Sequence, residues 1–238
     1  MQLFPAGMQL SLTPPRQYGS ELLDAPGIND DLVLRTVRDI ARSNVVFQGA
    51  RAAVAELSLS FPRLPRSATL LDVGTGAGDV PRDAQRAAHR HGIALRTIGL
   101  DSELVLARKA SAHVSHAMCA SGLGLPLADR SVDVAMCSQT LHHFRDAAAV
   151  TLLREMNRVA RVAVVVSDLR RSWLAVSGFW LSSFPLGFHP VTRHDGVLSV
   201  MRGFTPEEMA ATVFDAVGVR PAIHRRLGFR LTTSWEPV

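Results

Sequence analysis

Apolar residues recur along this chain with two different spacings. From about residue 69 to residue 166, short apolar runs alternate with longer stretches in which apolar residues recur at helical spacing. Short runs are typical of buried strands, and the longer stretches are typical of helices that bury one face. The predicted strands cover residues 69–73, 95–100, 114–118, 131–137 and 162–166, and the intervening helices cover residues 80–91, 102–111 and 146–159. This alternation predicts an α/β fold with a doubly wound, mostly parallel sheet.

Helical spacing also appears before the first strand and after the last parallel one. An irregular lead-in over residues 1–18 precedes predicted helices over residues 20–23, from residue 29 or 30 onward, and over residues 47–57. A capping box from Thr205 to Glu208, with proline at the first helical position, predicts a helix to about residue 217. Residues 221–226 and 229–233 then predict a terminal pair of strands.

These elements suggest a division into two parts. Residues 1–65 form a lead-in with capping helices, and residues 66–238 form one ligand-binding domain with an insertion at about 172–203. At 238 residues, with 47% apolar and 20% charged residues, the chain is large enough for one globular domain with a substantial core.

The charge distribution argues against a nucleic-acid partner. The net charge is +5, but the basic residues are scattered, and Lys109 is the only lysine among them. A nucleic-acid groove needs clustered positive charge with aromatic platforms.

The cysteines and the apolar stretches indicate a cytoplasmic protein without stable membrane insertion. Cys119 and Cys137 each lie beside apolar sequence, so we expect two buried thiols, which suit a reducing compartment, and no metal site. Residues 172–192 lack charge, but serines, glycine and prolines interrupt them. The N-terminal residues do not have the pattern of a signal peptide.

The stretch TLLDVGTGAGDVP, from Thr69 to Pro81, carries the candidate ligand-binding chemistry. A strand that ends in glycines and continues as a helix suits a nucleotide-like ligand, because glycine lets the main chain approach it closely. The first turn of the helix also offers free N–H groups. Asp79 stands where a dinucleotide fingerprint has its third glycine, and an acid there does not favour a pyrophosphate. The alternative is a plain strand-to-helix turn.

With Asp72 before the glycines, this stretch resembles motif I of class I S-adenosylmethionine (SAM)-dependent methyltransferases. Asp101 ends the next predicted strand, at the position that can bind both hydroxyls of a ribose. The alternative for Asp101 is capping of the following helix. The sequence Leu-His-His-Phe from Leu141 to Phe144 resembles the menaquinone/ubiquinone-methyltransferase-like branch, and residues 38–44 resemble bacterial methyltransferases acting on polyketide-like aromatics.

The resemblance implies a seven-stranded Rossmann-like fold and SAM as cofactor, with S-adenosylhomocysteine as product. Ser121 stands where the family has an acid for the adenine, so a hydroxyl, the backbone or a water must replace that acid. The implied cofactor-binding residues are Asp72, Gly74, Thr75, Gly76, Gly78, Asp101, Ser102, Ser121, Gly122 and Ser138.

The insertion is the candidate substrate cap. A helix rich in Trp and Phe, followed by a loop with Pro and His, makes an aromatic-lined pocket and lid, or else a core helix with a surface loop. The candidate substrate-binding residues are Trp173, Phe179, Trp180 and Arg193. A hydroxyl acceptor needs a base, for which we select His194 in the loop and His143 after the fourth strand, with structural roles as the alternative.

Three functions remain open at this point. The first is O-methylation of a small aromatic or polyketide-like molecule in natural-product biosynthesis, by a monomer or homodimer. The second is C-methylation in quinone biosynthesis. The third is a module of the same fold that binds without transferring a methyl group.

Overall fold

Seven strands form one sheet, which confirms the predicted fold class. The structure is a computed structural model that describes residues 13–19, 21–22 and 29–238. Residues 20 and 23 of the helix predicted over residues 20–23, and most of the predicted lead-in, lie outside the described residues. The strands are β1 (Ser67–Val73), β2 (Ala94–Asp101), β3 (His116–Cys119), β4 (Val132–Ser138), β5 (Ala160–Leu169), β6 (His224–Arg226) and β7 (Arg230–Trp235).

The strand order across the sheet is β3-β2-β1-β4-β5-β7-β6. Strands β1 to β5 pair in parallel, whereas β7 pairs antiparallel with both β5 and β6. The order reverses between β1 and β4, because the chain first builds outward through β2 and β3 and then returns. Ligands of open α/β sheets bind outside the carboxyl ends of the strands at such a reversal.

Eight helices of the described residues cover the sheet faces and its carboxyl edge. They are α1 (Asp30–Val46), α2 (Gly49–Leu57), α3 (Asp79–Arg90), α4 (Leu104–Ala110), α5 (Asp146–Val159), α6 (Trp173–Ser183), α7 (Pro190–Arg202) and α8 (Pro206–Val217). Helices α5 and α8 pack together on one face, and α2 and α3 pack on the other. Helix α7 contacts both α1 and α6 beyond the carboxyl edge. Among the described residues, none of these helices is long and apolar enough to span a bilayer.

Strand β4 lies at the centre of the core and is buried on both faces. Val134 and Met136 pack with the cluster under α2 and α3, whereas Ala135 and Cys137 pack with the cluster under α5 and α8. A parallel strand covered by helices on both sides has to be apolar almost throughout. This requirement explains the apolar run that predicts a strand over residues 131–137.

The structure corrects the predicted loop in the insertion. Residues from Pro190 onward form α7, with proline in the first turn and the His189 side chain accepting a hydrogen bond from the Val191 N–H. Burial of Leu198 and Met201 favours the helix over a loop. The prediction was wrong because Leu198 and Met201 lie among small and polar residues, so the sequence does not show a clear helical spacing of apolar residues.

The prediction of two buried thiols was wrong for Cys119. Cys137 is buried in β4, but Cys119 is exposed on β3. Strand β3 is the edge of the sheet, and its residues are exposed or only partly buried, so an apolar neighbourhood in sequence did not translate into burial there.

A buried carboxylate fastens the terminal strands to α2. Glu56 is fully buried, and its oxygens accept hydrogen bonds from Arg226, Thr232 and Ser234 at 2.7–2.8 Å. The His224 Nδ1 lies 2.8 Å from the same carboxylate. Burial by itself raises the pKa of Glu56, but these donors outweigh it and hold the pKa below its ordinary value of 4.5.

We expect Glu56→Gln to cost about 3 kcal/mol of unfolding free energy at neutral pH, because it removes one partner of a buried ion pair. A lowered folded-state pKa stabilises above the unfolded value, and this stabilisation is lost as the pH falls through the folded-state pKa. Urea unfolding at about pH 7 and about pH 3.5 should therefore show the gap between wild type and variant shrinking in acid. Glu236→Gln is the control, since Glu236 pairs with Arg63 at the surface and should cost under about 1 kcal/mol. A gap independent of pH would contradict an ionised Glu56.

Candidate functional site

The chain turns from β1 into α3 through three glycines with positive φ, of 73° at Gly74, 56° at Gly76 and 78° at Gly78. The N–H groups of Gly74 and Thr75 donate to the Leu100 carbonyl at 2.8 and 3.0 Å, which fastens the turn to β2. A Cβ at Gly74 would lie 2.3 Å from the Thr140 hydroxyl oxygen, so a side chain is excluded there. At Gly76 a Cβ would meet no described atom within 4 Å, and the turn is open on that side.

Two carboxylates flank the open turn. Asp101 is 6% exposed, and its oxygens accept hydrogen bonds from the backbone N–H groups of Gly76 at 2.9 Å and Glu103 at 3.1 Å. Burial raises the pKa of Asp101, and those N–H donors partly oppose the rise. Its remaining lone pairs can accept two further donors, such as a pair of vicinal hydroxyls.

Asp72 is the more deeply buried of the two acids. Burial raises the pKa of Asp72 to about 7, the Thr75 hydroxyl opposes the rise, and the charges of Asp79 and Asp101 add to it. Among the described residues, the Asp72 Oδ1 and the buried Ser138 Oγ have no hydrogen-bond partner. Crowded carboxylates and unused acceptors favour a ligand that brings donors or positive charge.

The other predicted cofactor residues lie around the carboxyl ends of β2 to β4. Ser102 and Ser121 are exposed, and the Ser121 hydroxyl oxygen accepts a hydrogen bond from the Leu123 N–H at 3.1 Å. Gly122 is buried, and a Cβ there would lie 2.9 Å from Leu152. The role of each residue toward the cofactor stays a prediction.

A cavity of about 630 Å³ lies between this edge of the sheet and the helices beyond it. It extends from α4, next to Asp101, to α1, α6, α7 and the start of β7. The apolar lining residues are Val33, Val37, Ile40, Phe47, Val105, Leu106, Leu169, Ala175, Phe179, Val200 and Phe229. The charged and imidazole-bearing ones are Glu21, Glu103, His142, His143, Arg170, Asp195 and Arg230.

A buried histidine–aspartate pair contributes to the cavity wall. The His142 Nδ1 lies 2.6 Å from the Asp168 Oδ1, and the His142 N–H donates to the Asp168 Oδ2 at 3.1 Å. With Nδ1 donating to the carboxylate, Nε2 is the free acceptor, and it has no hydrogen-bond partner among the described residues. Burial raises the pKa of Asp168, but His142 and the N–H donors outweigh it and hold that pKa below its ordinary value. Asp168 is therefore ionised at neutral pH.

His143 stacks on His142 with ring centroids 4.3 Å apart. Its Nδ1 lies 3.8 Å from Glu21 and 3.4 Å from the Arg202 guanidinium. Burial, followed by the His142 charge, lowers the pKa of His143, although 37% of its side chain is exposed. Ligand atoms of Glu21 and the two histidines lie within 4.8 Å of one another, which is close enough for a metal ion. Arg202 already supplies the positive charge, with its Nη1 2.7 Å from Glu21.

The structure separates the predicted substrate and base residues. Phe179 and His143 line the cavity. Trp173 and Trp180 are about half exposed on α6, and neither lines it. Arg193 and His194 lie on α7 outside the cavity lining.

Each of these α7 residues has a local partner. The Arg193 guanidinium stacks 4.5 Å from the Phe184 ring, and the His194 Nδ1 lies 2.8 Å from Asp195. Sequence reasoning missed the His142–Asp168 pair, although Asp168 ends β5 at the same sheet edge as the selected residues.

Hydrogen bonds link α1 to the start of α3 and to the cavity residues Gln139 and Arg230. The Asn44 side chain donates to Asp79 at 3.4 Å and accepts from Gln139 at 2.5 Å. The Gln139 Oε1 in turn accepts from the Arg230 guanidinium at 3.0 Å. The α1 helix is therefore connected to the glycine turn on one side and to β7 on the other.

Residues 71–165 match the family model described as a methyltransferase domain. No curated protein sequence matches the chain at a significant level. Among solved structures, a SAM-dependent methyltransferase from Aquifex aeolicus is 17% identical with a TM-score of 0.56, and the match covers 83% of this chain and 98% of that one.

Two further solved structures share the fold. Magnesium protoporphyrin IX methyltransferase from Synechocystis, solved with bound SAM, is 13% identical with a TM-score of 0.53 over 88% of this chain and 98% of that one. The mitomycin 7-O-methyltransferase MmcR is 16% identical with a TM-score of 0.59 over 90% of this chain and 62% of that one. Residues 71–165 thus match a methyltransferase domain, and the chain has the fold of SAM-dependent methyltransferases.

Proposed function

We propose that this protein is a SAM-dependent methyltransferase that methylates a hydroxyl oxygen of a small aromatic or polyketide-like molecule. The observation that carries the proposal is His142, paired with the buried Asp168, in the wall of a cavity that extends to Glu103 and the start of α4, next to Asp101. A hydroxyl must lose its proton as it accepts a methyl group, and a carboxylate-oriented imidazole is a suitable base.

The residues around the glycine turn fit the cofactor. The open side of Gly76 leaves space for a ligand against the backbone, and Asp101 has acceptor capacity for ribose hydroxyls. Asp72, with an unused buried oxygen, suits the positive charge of the methionine part. When bound, SAM supplies an electrophilic methyl group on a sulfonium.

The protein's own contribution is to place the acceptor and remove its proton. His142 takes the hydroxyl proton at Nε2 and becomes an imidazolium, which the ionised Asp168 stabilises through Nδ1. Asp168 is itself fixed by N–H groups of His142 and Leu169, at 3.1 and 2.6 Å. The imidazole is therefore oriented before the acceptor arrives, which reduces the cost of organising the site.

The cavity wall suits an aromatic acceptor. Phe47 and Phe179 lie with ring centroids 6.0 Å apart, and Phe229 lines the cavity from the β7 side. Apolar residues of α1 complete the wall, and a few polar groups remain to orient the acceptor. The likeness in fold to the mitomycin 7-O-methyltransferase is compatible with this substrate class.

The cofactor position is tested by a matched pair of glycine variants. Gly76 and Gly92 both have positive φ, and a Cβ would meet no described atom within 4 Å at either one. Gly76→Ala and Gly92→Ala should each cost about 1–2 kcal/mol of stability through backbone strain. Calorimetry should show S-adenosylhomocysteine binding at least about tenfold weaker in Gly76→Ala alone. Equal affinity in both variants would place the cofactor elsewhere.

The ribose contact is tested at Asp101. We expect Asp101→Ala to weaken S-adenosylhomocysteine binding by roughly 1.5–3 kcal/mol, the scale of lost hydrogen bonds to a charged group. Because Asp101 also holds the Gly76 N–H, a circular-dichroism melt must show that the variant is folded. Unchanged affinity in a folded variant would remove Asp101 from the site.

The base is tested by turnover of labelled SAM with a panel of phenols and hydroxyquinones. His142→Ala should lower turnover by about 10²- to 10⁴-fold, with less loss for more acidic phenols, because their protons leave unaided. Asp168→Asn should also reduce turnover and alter its pH dependence.

His194→Ala is the control for the base, because His194 lies outside the cavity lining. His142→Ala with wild-type turnover and an unchanged pH profile would refute the assignment. Loss of turnover in His194→Ala would instead return the role to His194. Methylation at carbon rather than oxygen in the products would indicate the alternative C-methylation.

A further inference from the structure

Two arginines, Arg170 and Arg230, line the cavity. No carboxylate oxygen of the described residues forms an ion pair with Arg170 or Arg230 within 4.0 Å. Two neighbouring arginines differ, because Arg171 pairs with Glu208 at 2.6 Å and Arg202 pairs with Glu21 at 2.7 Å. An unpaired guanidinium in a cavity favours an anionic ligand.

Arg230 is the more deeply buried of the two. It is 4% exposed, and burial lowers its pKa to about 10, so it stays cationic at neutral pH. Its Nη2 donates to the Gln139 amide oxygen at 3.0 Å, whereas its buried Nε has no partner among the described residues. The nearby Asp168 is already occupied by His142 and the Leu169 N–H. Arg230 is therefore held in position with donor capacity left over.

Arg170 adds a second positive charge from the end of β5. Its guanidinium lies 5.0 Å from the centre of the Phe229 ring, which is itself part of the cavity wall. Burial, followed by the charge of Arg225, lowers the pKa of Arg170. Both guanidinium groups thus line the same cavity, where an anion would offset the cost of burying their charges.

The acids of the cavity lie on other elements and are engaged elsewhere. Glu21 binds Arg202, and the Asp195 carboxylate accepts from the Leu22 N–H at 2.9 Å and contacts His194. Glu103 precedes α4 beside Asp101, at the cofactor end. The negative charges are therefore on the α7 and α4 sides, and the free positive charge is on the β7 side.

We propose that the methyl acceptor carries a carboxylate, which Arg230 and Arg170 bind while its hydroxyl faces His142. This inference rests on the proposed function, because it concerns the acceptor of the same reaction. Arginine binds carboxylates through paired N–H groups in a fixed plane, so the two residues set the orientation of the ring as well as its charge. The acceptor class is thereby narrowed to hydroxylated aromatic acids.

Salicylate and its uncharged isostere salicylamide test the proposal. Each is titrated calorimetrically into protein saturated with S-adenosylhomocysteine, and the two dissociation constants are compared. We expect wild type to bind salicylate at least about tenfold more tightly than salicylamide. Arg230→Met and Arg170→Met should each remove most of this preference, and Arg230→Lys should keep part of it, since lysine retains the charge without the fork.

Arg225→Met is the matched control, because Arg225 is exposed near Arg170 but does not line the cavity. It should leave the preference for the acid unchanged. Should Arg230→Met fail to fold, Arg170→Met and Arg230→Lys supply the same comparison.

The methionine part of SAM also carries a carboxylate. A second titration distinguishes binding of that carboxylate by the arginines from binding of the acceptor's carboxylate. S-adenosylhomocysteine affinity should stay within about twofold of wild type in the arginine variants. A large loss of that affinity with an unchanged salicylate preference would assign the arginines to the cofactor and overturn the proposal. No preference for salicylate in wild type, or no detectable binding of it, would overturn it as well.

These outcomes are distinct from those for the proposed function. Salicylate binding needs no methyl transfer, so it would survive a failure of the His142 assignment. Conversely, a lost salicylate preference would leave the effect of His142→Ala on turnover of neutral phenols intact.

Discussion

The parallel pairing of β1, β2, β4 and β5 is the constraint on which the rest of the site depends. Parallel strands end at the same edge of the sheet, so residues far apart in sequence arrive there together. Asp72, Asp101, Ser138 and Asp168 each lie at or near the carboxyl end of a different strand. Because β4 is buried on both faces, packing of the core holds these strands in their order and register, and thereby holds the four side chains near one another.

Much of the fold was predictable because its signals are local. Apolar runs, the glycine turn and the Thr205 capping box each act over a few residues, and the observed elements follow them within a few positions. The insertion was harder, because α7 depends on burial of Leu198 and Met201 against the rest of the protein. Its cap is a histidine rather than one of the usual short polar residues.

The candidate site was predictable only in part, because some of its residues are set by local sequence and others by contacts between distant parts of the chain. Asp101 and the glycines follow from their distance to a predicted strand end, and the structure brings them together through the bond from Gly76 to Asp101. The choice between His142 and its neighbours depends on Asp168, which is 26 residues away along the chain. Arg230 begins a strand that pairs antiparallel with β5, so no rule about parallel strand ends could place it at the cavity.

The hydrogen bonds from Asp79 through Asn44 and Gln139 to Arg230 connect the start of α3, next to the glycine turn, with the cavity wall by way of α1. A ligand that shifts these side chains at one end changes the arrangement that a ligand at the other end meets. Binding free energies at two sites that share such an element are linked, and the linkage is reciprocal. A cofactor at the glycine turn and an acceptor in the cavity thus need no direct contact for each to change the other's affinity, and both affinities change by the same factor.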